Sequence, residues 1–113
     1  NRPIVTQDLD ATICWMDENS ALRPGQKLAI KHTTRWARVM VADLVYRLDV
    51  NTLHRDSGAS ALGLNEIGRV RLRCTRPLFV DDYRRNRITG SFMLVDEATN
   101  ATVAAGMVRG AGS

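Results

Sequence analysis

The chain is poor in the residues that usually announce chemistry. Among its 113 residues are two cysteines, two histidines and three prolines, and aromatics make up 5%. Its lysines, Lys27 and Lys31, do not follow a glycine-rich loop. No Gly-x-x-x-x-Gly-Lys-Ser/Thr loop, Gly-x-Gly-x-x-Gly turn or Asn-Lys-x-Asp string occurs, so no nucleotide cofactor is expected on this chain. His32 and His54 lack Cys, Asp or Glu at metal-ligand spacing, so no metal site is expected either. His54 has Asp56 nearby, but Ser57 and Ser60 lack the setting of an activated nucleophile. The adjacent Asp81 and Asp82 would face opposite ways on an extended chain and read as turn formers rather than an acid/base pair. No catalytic residue is assigned.

Further absences bear on compartment. Cys14 and Cys74 lie far apart, each within an alternating apolar segment, which predicts buried reduced thiols and a cytoplasmic setting. The N-terminal Asn1-Arg2-Pro3-Ile4 lacks a basic region with an apolar stretch behind it, so no secretory leader is expected. No apolar run approaches the roughly 20 residues a helical membrane span needs. A start at Asn1 and a Gly110-Ala111-Gly112-Ser113 end predict a segment of a longer polypeptide.

What is present is ordinary for a folded domain: 44% hydrophobic and 25% charged residues. A chain of this size buries about two-thirds of its surface on folding, enough for one core without disulfides or metals. Lys and Arg number 16 against 12 Asp and Glu, a net charge of +4. With so few aromatics between the basic residues, nucleic acid is a disfavoured partner.

The dominant period is two. Leu9, Ala11, Ile13 and Trp15 alternate with Asp8, Asp10, Thr12 and Cys14, as in a strand buried on one face. Asp17 to Ser20 break the pattern. Pro24-Gly25 supplies a type II turn before a second strand through Leu28, Ile30 and His32. A third strand starts at Trp36, with Ala37, Val39 and Val41 a cleaner inward set than Trp36, Arg38 and Met40. The stretch from Tyr46 to Asn65 is irregular and long, which predicts a partner-facing loop or a flap over a barrel end. A fourth strand, from Ile67 to Thr75, is expected to end at Pro77. Two last strands, Ser91 to Val95 and Thr102 to Val108, are joined by a hairpin turn over Asp96 to Asn100. About six short strands and no amphipathic helix predict an all-β, antiparallel barrel, since closure removes exposed edges.

Alternation aligns Arg69, Arg71 and Arg73 on the outer face of the fourth strand, and Arg84, Arg85 and Arg87 follow in the next loop. Such a row serves as a solvated, edge-protecting face or as a contact surface for carboxylates or phosphates. These six arginines are the candidate partner-contact residues.

Several strings carry a resemblance. They are Asp49 to Leu53, Leu64-Asn65-Glu66-Ile67-Gly68-Arg69-Val70, Arg76-Pro77-Leu78-Phe79, Asp81 to Asp96 and Thr99-Asn100-Ala101-Thr102-Val103-Ala104-Ala105-Gly106-Met107-Val108. Together they resemble the third domain of the large, GTPase subunit of bacterial sulfate adenylyltransferase. The resemblance implies a Greek-key barrel like the third domain of elongation factors, non-catalytic, within a multidomain GTPase whose GTP hydrolysis drives adenylyl transfer from ATP to sulfate. It implies GTP, ATP and Mg in the parent protein. The implied partners are the GTPase domain and preceding barrel of the same polypeptide and a small adenylyltransferase subunit. In some members an adenylylsulfate kinase domain follows. The alternative is an RNA-contacting barrel of a translation GTPase, its basic face meeting tRNA.

Overall fold

The strict alternation of apolar and polar residues before Met16 can satisfy a buried face only as a strand, and the first strand is long. In the computed structural model, which describes residues 4–32, 35–80 and 90–111, it runs as β1 (Ile4–Trp15). There follow β2 (Lys27–His32), β3 (Arg35–Leu48), the two-residue β4 (Arg55–Asp56), β5 (Ile67–Val80), β6 (Ser91–Val95) and β7 (Thr102–Ala111). The described residues contain no helix, and so none long and apolar enough to cross a membrane.

β1 pairs with β5 on one side and β7 on the other; β5 continues to β3 and β7 to β6. Both arms meet on β2, which pairs with β3 through Leu28↔Val39 and with β6 through Ile30↔Leu94. The sheet thereby closes into a six-stranded antiparallel barrel, with β4 a short flank on β3. The six barrel strands are those expected from the alternation.

Closure leaves an interior for every second side chain. Leu9, Ala11, Ile13 and Trp15 fill it from β1, Leu28 and Ile30 from β2, Val39 and Val41 from β3, and Val70, Leu72 and Cys74 from β5. A lone histidine on a strand is ordinarily a half-exposed sheet residue, and His32 is not. It is 3% exposed, because parity carries it inward with Leu28 and Ile30.

Turns follow their residue chemistry. Gly25 has φ 88° and Gln26 N–H reaches the Arg23 carbonyl at 3.2 Å, the geometry that a type II turn with Pro24 before the glycine requires. The β6–β7 hairpin is held by Asn100 N–H to the Asp96 carbonyl at 2.8 Å, with Asn100 at φ 60°.

Two expectations need correction. Pro77 does not end β5. The strand resumes pairing with β1 at Thr6↔Leu78 after a register shift from Asp8↔Arg73, and Pro77 lies among the residues of β5 that this shift leaves without a partner on β1, the kind of position where a strand tolerates proline. The stretch from Tyr46 to Asn65 is also more regular than its composition indicates. β3 extends to Leu48, β4 folds back on it, and Leu62 forms a two-way bridge with Leu22 at 2.9 and 3.0 Å.

Leu22 and Leu62 are fully buried, and each such burial contributes about 2 kcal/mol. Together with Trp15, whose indole N–H donates to the Ser20 carbonyl at 2.7 Å, they close one end of the barrel. The second half of the irregular stretch is therefore the flap, while its tip at Val50 and Leu53 is exposed.

Gly106 on β7 faces Phe92 on β6, and a Cβ there would overlap the Phe92 ring. Gly106→Ala is expected to destabilise the domain by about 1–3 kcal/mol, as overpacking does. Gly106→Ala combined with Phe92→Leu should recover part of that loss in urea denaturation; a neutral single variant would show that the ring moves freely.

Candidate functional site

The arginine row begins as a property of β5. Val70, Leu72 and Cys74 are drawn into the core, so Arg69, Arg71 and Arg73 are set on the outer face. The same parity on β1 sets Asp8 and Asp10 outward beside them, in the register Asp8↔Arg73 and Asp10↔Arg71. The row is thus interleaved with carboxylates. Arg73 Nη1 donates to both Asp8 oxygens, at 2.9 and 3.0 Å. Arg69 reaches diagonally to Asp10, its Nε donating to Oδ1 at 2.8 Å and its Nη2 to Oδ2, a two-pronged fork.

The two pairs differ in environment. Asp10 and Arg69 side chains are 16% and 30% exposed, against 42% and 56% for Asp8 and Arg73. The Arg69 hydrogen bond holds the Asp10 carboxyl below its ordinary value against the opposing effect of burial, and the Arg109 and Arg71 charges add to the lowering. Reciprocally, the hydrogen bond to Asp10 raises Arg69. Arg71 lies between the pairs, exposed, with no carboxylate partner among the described residues. Among the described candidates, Arg71 is the one without a carboxylate ion pair. Arg84, Arg85 and Arg87, and the pair Asp81 and Asp82, lie outside the described residues.

A second concavity, about 550 Å³, lies in the lobe around β4 and is lined by Arg47, Asp49, His54, Arg55, Asp56 and Glu66 among others. Its charges are internally used. Arg47 bridges Asp56 at 3.2 Å and Glu66 at 3.3 Å, while Asp56 Oδ1 also accepts the Gly58 N–H at 3.0 Å. Asp49 caps the Asn51 and Thr52 N–H groups, hydrogen bonds that hold its carboxyl below the ordinary value. Arg55 lies over the Tyr46 ring at 5.0 Å. His54 and Asp56 thus share a groove in which the carboxylate is already held by Arg47.

Both thiols are free. Burial, with the Asp8 charge adding to it, pushes Cys74 up to about 11, the state of an unreactive core thiol. No cluster of His, Cys, Asp and Glu able to hold a metal occurs among the described residues.

The partners Asp8 and Asp10 were not singled out from sequence, although a signal was there: acidic residues at alternate positions on one strand matched basic residues at alternate positions on another. Register alone decides that they face each other.

Asp10→Asn is expected to cost about 1–2 kcal/mol at pH 7, since it removes a charge-assisted fork. Asp8→Asn, at an exposed pair, should cost about 0–1 kcal/mol. Because the folded-state value of Asp10 is depressed, its contribution is present above the ordinary carboxyl value of 3.8 and is lost as pH falls through the folded value. Urea melts of wild type and Asp10→Asn should therefore differ at neutral pH and converge in acid.

Comparison with known proteins follows the barrel closely. Residues 8–109 match the family described as GTP-eEF1A C-terminal domain-like. The chain is 60% identical over 108 residues to the bifunctional enzyme CysN/CysC of Mycobacterium tuberculosis, covering 96% of this chain and 18% of that protein. It is 45% identical over 107 residues to sulfate adenylyltransferase subunit 1 of Aeromonas hydrophila, covering 95% and 22%. It thus spans about a fifth of the length of these curated relatives. Among solved structures, sup35 complexed with GDP superposes with TM-score 0.87 at 22% identity, over 100% of this chain and 27% of that one, a likeness of fold. The resemblance carried by the Asn65-Glu66-Ile67-Gly68 and Thr99-Asn100-Ala101-Thr102-Val103 strings is borne out by these identities. With a matched region running from the Asp8 of the outer ladder to Arg109 on the last strand, the chain belongs to the GTP-eEF1A C-terminal domain-like family.

Proposed function

We propose that this barrel is the non-catalytic third domain of the GTPase subunit of a sulfate adenylyltransferase. The parent protein couples GTP hydrolysis to adenylyl transfer from ATP to sulfate, giving adenosine 5′-phosphosulfate, in the cytoplasm. The observation that carries the reading is 60% identity over 96% of the chain to a CysN/CysC enzyme, against 22% to the sup35 structure that shares the fold. GTP, ATP and Mg belong to the rest of that protein, and so does an adenylylsulfate kinase domain where one is fused. The barrel's part is to hold contacts with the GTPase domain, the preceding barrel and the small adenylyltransferase subunit.

Its outer ladder supports a contact role. Asp10 and Asp8 occupy Arg69 and Arg73, which leaves Arg71 as a single directed fork among carboxylates. A mixed-charge surface of that kind suits a protein partner better than a phosphate backbone, which it would partly repel. Arg71 and the loop arginines Arg84, Arg85 and Arg87 are the residues proposed to meet the small subunit.

Arg71→Glu, and separately the pair Arg84→Glu and Arg87→Glu, should weaken binding of the small subunit by about tenfold or more while the domain stays folded. Titration of the complex checks this, with circular dichroism as the folding control. Unchanged binding would remove the arginine face from the interface. Steeply salt-dependent tRNA binding by the same surface would instead favour the RNA-contacting alternative.

A further inference from the structure

The outer wall of β1 carries a guanidinium that the row on β5 does not include. On β7 the ladder with β1 runs Ala11↔Val108 and then Asp10↔Gly110, so Arg109 is left between the two without a strand partner of its own, a bulge position of the kind that re-aims a side chain. Val108 keeps to the core, and Arg109 is exposed. Its Nη1 reaches back over β1 and donates to the Thr12 hydroxyl at 3.5 Å. From the other flank, Arg71 on β5 stands directly opposite Asp10 in register. Arg71 and Arg109 therefore approach one stretch of β1 from its two neighbouring strands, and the Asp10 carboxyl feels the charge of each.

Asp10 is already committed elsewhere. Arg69 engages both of its oxygens, with Nε on Oδ1 at 2.8 Å and Nη2 on Oδ2, while Asp8 is held by Arg73. Arg69, Arg71 and Arg109 thus surround one carboxylate, and neither Arg71 nor Arg109 has an ion-pair partner among the described residues. A carboxylate arriving from outside between these two would meet a fork from each side, the planar recognition that arginine makes best. Other occupants fit less well. A nucleic-acid backbone lays phosphates along a row, and the row here includes Asp8 and Asp10. A second copy would offer Arg71 and Arg109 only its own arginines and aspartates that Arg69 and Arg73 already hold.

We infer that Arg71 and Arg109 form a clamp across β1 for one carboxylate side chain on an acidic segment of the small adenylyltransferase subunit. This rests on the reading of the barrel as part of the GTPase subunit, and it narrows the contact from an arginine face to two forks and one acid. Arg69 and Arg73 stay with Asp10 and Asp8 in the complex.

Arginine modification by phenylglyoxal, read residue by residue by mass spectrometry on the intact GTPase subunit, tests the clamp. Adding the small subunit should slow modification of Arg71 and Arg109 together by about tenfold and change that of Arg73, another exposed arginine on the same wall, by less than about twofold. Arg71→Gln and Arg109→Gln should each weaken the complex by about tenfold, and the double variant by well short of the roughly hundredfold that independent contacts would give, because both forks share one carboxylate. Arg73→Gln removes the same charge and should weaken it by less than about twofold. Circular dichroism supplies the folding control. An equal effect of Arg73→Gln, a multiplicative double variant, or unchanged rates at Arg71 and Arg109 in a complex that does form would each overturn the clamp. So would slow modification of the pair before the small subunit is added, since the carboxylate would then belong to the same polypeptide. If the small subunit does not bind at all, it is the reading of the barrel that fails, and a hexaglutamate peptide becomes the probe. Protection of both arginines by that peptide keeps the carboxylate clamp; protection by polyphosphate alone, or by neither, removes it.

Discussion

Closure of the sheet at β2 is the constraint on which the rest of the structure depends. β2 is short, yet it pairs with β3 on one edge and β6 on the other, and without it the sheet would expose two edges. Once closed, each strand has one side committed to a shared interior and the other to the outside. Every assignment of face follows from that division, including the inward turn of His32, the outward row of arginines and the outward tryptophan.

The interior is sealed at one end by side chains brought together from loops. Trp15 ends β1 and is held by its backbone N–H to the Glu66 carbonyl at 3.0 Å and by Asn65 N–H to its own carbonyl at 2.8 Å. The Leu22–Leu62 bridge lies over the same end. These contacts tie the lobe around β4 to the first strand, so a segment that is irregular in sequence is anchored at its base and open at its tip. Leu53, at φ 58° and 71% exposed, marks that tip, a conformation uncommon for a bulky residue.

Charge is used mainly within the molecule. Arg69, Arg73 and Arg47 each hold a carboxylate, and the buried Cys74 is chemically quiet. The outer wall of β1 and β5 is therefore a polar one whose guanidinium groups are largely paired.

The alternation of Leu9 to Trp15, Leu28 to Ile30, Val39 to Val41 and Val70 to Cys74 by itself determined four of the six barrel strands and their inward faces, because a period of two has one physical realisation when one face must be buried. Pro24-Gly25 and Asp96 to Asn100 likewise determined their turns, since few backbone conformations suit those residues. The strings from Leu64 to Val70 and Thr99 to Val108 were enough to reveal the family. Tertiary structure alone decided which strands lie side by side. It thereby matched Asp8 and Asp10 with the arginines of a strand some sixty residues away, at separations of 59 and 65 in the two ion pairs. It also absorbed Pro77 into a bulge. Those outcomes depend on register between distant strands, which is set by how the side chains of all six pack into one closed interior and is not encoded in any single segment.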